Sequence, residues 1–165
     1  MPPSPTAALR ALWFGPHTIP LSQTFLLTPL TYGLVNLKPI RPGHVLLATR
    51  LPHPRFSDLS PDEVADLFLQ AQRVSRAITR HFGAQSLTLC IQDGKEAGQT
   101  VPHVHLHVIP RNEGDFPDND DVYEKLEHTH RIDNEERTPR TPQDMAGEAE
   151  MLRKEIGEWN TDTDC

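Results

Sequence analysis

Cysteine is nearly missing from this chain: 165 residues hold two, Cys90 and Cys165, far apart and outside any paired motif. Neither a disulfide framework nor a thiolate zinc site is therefore expected, and a reducing compartment follows, the cytoplasm with the nucleus also open to it. Long apolar runs are missing as well. No stretch approaches the roughly 18 residues a membrane span needs, and the apolar segment 7–14 is interrupted by Arg10, so neither a membrane anchor nor an export signal is expected. A basic surplus is also lacking. The formal charge is −7, which argues against a long nucleic acid as partner. That charge is unevenly spread: residues 1–111 carry ten Lys or Arg against six Asp or Glu, and residues 112–165 carry six against seventeen. The acidity belongs to the C-terminal third, and the body of the chain is mildly basic.

Proline is absent between Pro61 and Pro102, so regular structure is expected in that window. Its start is marked by Ser60-Pro61-Asp62-Glu63, which reads as N-cap, N1 proline and the acid of a capping box. Val64, Leu67, Phe68, Ala71, Val74 and Ile78 then recur at helical spacing, and the helix should end near Gly83. Short strands are expected at 24–28, 32–37, 44–49, 86–92 and 104–109, the last stopped by Pro110. Residues 112–140 are polar and acidic and read as a mobile loop. A second helix is expected over 142–159, with Met145, Ala149, Leu152, Ile156 and Trp159 on one stripe, followed by a frayed tail at 160–165. One domain of α+β class results, an antiparallel sheet of about five strands with one main helix and a C-terminal helix.

The chemistry concentrates in His103-Val104-His105-Leu106-His107-Val108-Ile109. Alternate side chains of a strand share a face, so three imidazoles line up on one side and Val104, Leu106 and Val108 on the other. Three readings are open. The strand could simply carry histidine on a half-buried face, although imidazoles gain little from packing there. It could ligate a metal, since imidazole is a common zinc ligand, but no Asp, Glu or Cys lies within it. Or it could supply a nucleophile at phosphorus: histidine titrates near neutrality, so one uncharged ring can attack while a protonated neighbour donates to the phosphate. Nearby residues suit the third reading. Gly94 and Gly98 permit backbone N–H groups to approach an anion, and Gln92, Gln99 and Thr100 offer neutral donors. His44 can set a histidine tautomer from behind, and Asn36 can meet a sugar hydroxyl.

The run Gly98-Gln99-Thr100-Val101-Pro102-His103-Val104-His105-Leu106-His107-Val108-Ile109 resembles the signature of the histidine triad family. Gln92-Asp93-Gly94-Lys95-Glu96-Ala97-Gly98, Pro42-Gly43-His44-Val45-Leu46 and Gly114-Asp115-Phe116 are similar to its fragile histidine triad branch, and the likeness spans about residues 14–153. The resemblance implies a dinucleoside polyphosphate hydrolase that cleaves diadenosine triphosphate to AMP and ADP through a nucleotidyl-histidine. By position His105 is the nucleophile, His107 contacts the α-phosphate, and His103 and His44 hold the constellation. Gln92, Gly98, Gln99, Thr100 and Val101 match phosphate-binding positions, Asn36 a ribose contact, and His17 a residue lining the nucleotide pocket. The family also implies a two-fold homodimer, a divalent cation (Mg or Mn) on the substrate phosphates, and no metal held by the protein. A phosphoramidase of the same superfamily and a nucleotide-binding signalling module are the alternatives.

Overall fold

A computed structural model describes residues 11–128 and 137–157. Its centre is an antiparallel sheet of five strands, β3 (Thr24–Leu27), β4 (Thr31–Val35), β5 (Val45–Thr49), β6 (Ser86–Cys90) and β7 (His105–Arg111), ordered β3-β4-β5-β7-β6. A separate hairpin, β1 (Ala11–Phe14) and β2 (His17–Pro20), precedes it. Helix α1 (Pro61–Phe82) starts where the sequence signals it: the Ser60 side chain accepts from the Glu63 N–H, and the Glu63 carboxylate accepts from the Ser60 N–H. It ends at Gly83, whose φ of +63° suits a residue without Cβ. Helix α3 (Pro142–Ile156) is capped by Thr141.

Strand alternation divides the sheet into two faces. Val45, Leu47, Leu106 and Val108 face α1 and α3 and bury with Leu67, Val74, Ile78, Ala149 and Leu152. The opposite face carries Leu46, Ala48, His105 and His107, and the hairpin closes over it with Leu12, Phe14 and the nearby Val101. Phe68, expected on the buried stripe of α1, is 46% exposed and turns toward Phe56 instead.

Three elements differ from expectation. The hairpin β1-β2 forms ahead of the first expected strand, and its prolines are tolerated because Pro16 falls beside the Gly15 turn and Pro20 at the strand end. Strand β7 continues through Pro110, whose missing N–H is tolerated because pairing with β5 ends at Val45 and Val108 while β6 still pairs alongside. Within the expected acidic loop, Asp121–His128 forms a helix, α2, whose buried Val122 and Leu126 pack on Ile109. The acidic run hid this helix because only two of its residues face inward. Trp159 and the expected tail at 160–165 lie outside the described residues.

Candidate active site

The central position of β7, between β5 and β6, takes His105 and His107 out of solvent, and His103 just before that strand and His44 on the approach to β5 are buried with them, all at most 2% exposed. Buried imidazoles must spend their ring nitrogens on partners, and those partners set the tautomers. His103 accepts from the Gly15 N–H at Nδ1 (3.0 Å) and donates from Nε2 to the Thr49 carbonyl (2.7 Å). Both nitrogens serve the backbone, so this ring is a strut that ties the hairpin turn to the end of β5. Burial, followed by the repulsion of nearby His53, holds its pKa below the ordinary 6.5, although the Thr49 carbonyl works the other way.

His105 donates from Nδ1 to the carbonyl of His103 at 2.7 Å, which puts the lone pair of the neutral ring on Nε2. The Ile40 N–H donates to His44 Nδ1 (3.1 Å), so His44 carries its proton on Nε2 and gives it to Nδ1 of His107 (3.0 Å). His107 is thereby left with its own proton on Nε2. Two neighbouring rings, with centroids 5.1 Å apart, thus present opposite functions: a lone pair on His105 and an N–H donor on His107. That is the pairing an attack at phosphorus requires, a nucleophile beside a donor to the oxygen that gains charge.

The other predicted residues are distributed around this pair. Asn36 is buried, its Nδ2 lies 3.4 Å from His44 Nε2, and its Oδ1 accepts from the Lys38 N–H. Gln92 lies against Gly98, where a Cβ would stand 2.6 Å from Gln92 Nε2, and Gln92 Oε1 is buried with no hydrogen-bond partner among the described residues. Gly94 and Gly98 act differently from expectation. The Gly94 N–H donates to Gln99 Oε1 and the Gly98 N–H to the Lys95 carbonyl, so both serve the loop's own turn, where φ values of +97° and +87° require glycine. The Gln99 side chain likewise staples the loop, its Nε2 donating to the Pro54 carbonyl. Thr100 is exposed, Val101 is buried beside Gly15, and His17 is exposed opposite Phe14 in the hairpin.

Sequence reasoning missed Phe14 as a site residue. Its ring meets His105 edge-on at 4.9 Å and His103 at 5.6 Å, and only the hairpin, closed by a bond between residues 88 positions apart, brings it there. Tyr32 also borders His103, with its hydroxyl bound to the Trp13 carbonyl. Burial pushes its pKa up.

Comparison with known proteins finds the HIT domain over residues 20–114. A bifunctional bis(5'-adenosyl)-triphosphatase/adenylylsulfatase of Arabidopsis thaliana is 47% identical over 85% of this chain and 81% of its own length. A bis(5'-adenosyl)-triphosphatase of Dictyostelium discoideum is 46% identical over 88% and 93%. Among solved structures, the Plasmodium falciparum diadenosine triphosphate hydrolase superposes with a TM-score of 0.73 at 31% identity, over 90% of this chain and 86% of that one. The C. elegans NitFhit protein superposes at 0.74 with 39% identity, but this chain spans 30% of that fusion.

Proposed function

The chain belongs to the histidine triad family, and from that premise we propose that it hydrolyses dinucleoside polyphosphates, cleaving diadenosine triphosphate to AMP and ADP. The observation that carries the reading is the fixed pair of tautomers, the lone pair on His105 Nε2 beside the proton on His107 Nε2. His105 Nε2 attacks the α-phosphorus and forms a P–N bond, while the bond from that phosphorus to the bridging oxygen breaks and ADP departs. The phosphorylated ring is cationic, and its Nδ1–H remains bonded to the His103 carbonyl 2.7 Å away, which stabilises that charge. His107 donates to a phosphoryl oxygen throughout. Water then attacks the nucleotidyl-histidine, the P–N bond breaks, and AMP leaves with His105 restored. ADP is a stable anion and departs with little help from an acid, which fits a site built from neutral rings and amides.

The substrate is proposed to arrive with Mg or Mn on its phosphates. A second copy of the chain, joined along β6, is proposed as the partner, and the cytoplasm as the location. Among the described residues no helix is long and apolar enough to cross a membrane.

The test is a substrate panel with product identification: diadenosine triphosphate and tetraphosphate, adenylyl sulfate and an adenosine phosphoramidate. AMP and ADP as the fastest-formed products bear the reading out. Preference for the phosphoramidate overturns it in favour of the phosphoramidase, and nucleotide binding without turnover favours the signalling module. His105→Asn should bind nucleotide and lose turnover by a factor of at least about 10³.

A further inference from the structure

Segment 49–56 holds both halves of the site. The Thr49 carbonyl accepts from His103 Nε2 and the His53 carbonyl from the Val104 N–H, each at 2.7 Å, which seats the start of the histidine strand. The Pro54 carbonyl accepts from Gln99 Nε2 (2.9 Å). The Phe56 N–H donates to Asp93 Oδ1 (2.8 Å), and Arg55 grips the same carboxylate from Nε to Oδ1 (3.1 Å) and from Nη2 to Oδ2 (3.4 Å). These bonds seat the loop that begins with Gln92. Pairing of β6 with β7 holds the chain as far as Cys90, opposite His107, and these bonds hold it from there on, where β6 has ended.

A carboxylate here calls for an explanation, since a negative charge one residue from a polyphosphate contact repels the substrate. Arg55 supplies the answer: its hydrogen bond, with the Phe56 N–H behind it, holds the Asp93 carboxyl below the usual range and offsets its charge. The pair lies partly at the surface, the Arg55 side chain 55% and the Asp93 side chain 35% exposed, and the glycines beside it leave the space it needs. A Cβ on Gly94 would stand 3.2 Å from the Arg55 guanidinium, and one on Gly98 would stand 2.6 Å from Gln92 Nε2. The buried Gln92 Oε1 has no hydrogen-bond partner among the described residues, and the same amide carries an Nε2 donor of the kind a phosphate oxygen accepts from.

We infer that Asp93, clamped by Arg55 and the Phe56 N–H, is a positioning residue that sets the Gln92 amide at its working distance from His105 and His107. The inference rests on the hydrolase reading above. It is tested with a double-mutant cycle on diadenosine triphosphate, using Gln92→Ala, Asp93→Ala and the double variant, with thermal melts alongside. If Asp93 acts through Gln92, Asp93→Ala lowers kcat/KM by roughly 10–100-fold, and the double variant is no more than about twofold worse than Gln92→Ala alone. Asp93→Asn, which keeps an acceptor for Phe56, should recover part of the loss. Full activity in Asp93→Ala, or losses that multiply in the double variant, overturns the inference. Should Asp93→Ala fail to fold, Arg55→Lys takes its place in the cycle, because it leaves the Phe56 bond intact. Should the wild-type chain leave diadenosine triphosphate uncut, the hydrolase reading fails on its own. The same cycle is then read from AMP affinity by calorimetry, where additive losses overturn the positioning role.

Discussion

At the scale of the residue, four histidines of one chemical type hold different jobs because each meets a different partner: backbone groups for His103, His105 and His44, and the His44 ring for His107. His44 is the clearest case, since the Ile40 N–H dictates its tautomer and so the tautomer of His107. Replacing it with Phe keeps the ring and removes the relay. His44→Phe should lower kcat by roughly 10–100-fold, with KM moved less, and His44→Gln should recover part of that; steady-state kinetics on diadenosine triphosphate checks both. His103 yields a prediction about stability. Its Nδ1 accepts from Gly15, so a proton there breaks the tie to the hairpin. Its folded pKa lies below the ordinary 6.5, mainly through burial. Between those two values the unfolded chain binds a proton that the folded chain refuses, so stability falls as pH drops below 6.5. One such group contributes at most about 1.4 kcal/mol per pH unit. Urea unfolding at pH 7 and pH 5 should show this slope, and His103→Gln should flatten it; an unchanged slope counts against the strut.

Among the elements, legibility followed locality. Helix α1 was readable because its signals lie within a few residues of one another: Ser60, Pro61 and Glu63 at one end, Gly83 at the other. The shared face of His103, His105 and His107 was readable from the period of a strand. The tautomers were not, because they depend on Gly15, Thr49 and Ile40, which only the fold brings near. Nor was the division of labour in the glycine loop, where the expected donors turned out to be spent on the turn itself. Helix α2 was hidden for a third reason: its acidic residues dominate the composition, and the packing rests on Val122 and Leu126 alone, four apart on one face. That small contact is open to test. Leu126 is 2% exposed and seats α2 on Ile109, two residues beyond His107 on the same face of β7. Leu126→Ala should cost about 2 kcal/mol, the low end for a buried leucine because the cluster is small. A substitution in a loop would cost under about 0.5 kcal/mol, so a urea midpoint separates the two.

For the molecule as a whole, the two edges of the sheet are treated differently, and the proposal of a second copy joined along β6 starts from that difference. The β3 edge is occupied: Arg153 of α3 donates to the carbonyls of Thr24 and Leu21 at 2.6 Å. The β6 edge carries no further strand among the described residues, and its Leu89 is 47% exposed, beside a groove lined by Phe56, Phe68 and Ile91. Open backbone next to exposed apolar side chains is a surface that pairs with another strand. Cys90 in that strand has its thiol pushed up to about 11 by burial, so it stays protonated at neutral pH and adds no charge to the edge. A second copy running antiparallel to β6 about a two-fold axis would continue the ladder and cover Leu89 and Phe68 together. Sedimentation equilibrium should then find a species of twice 18.6 kDa. Leu89→Asp places a charge in the middle of that seam and should return the 18.6 kDa monomer, with the histidine site still able to bind AMP because Leu89 and the triad lie on opposite faces of the sheet. A wild-type chain that stays monomeric at high concentration, or a Leu89→Asp variant that still dimerises, would remove β6 as the joining edge.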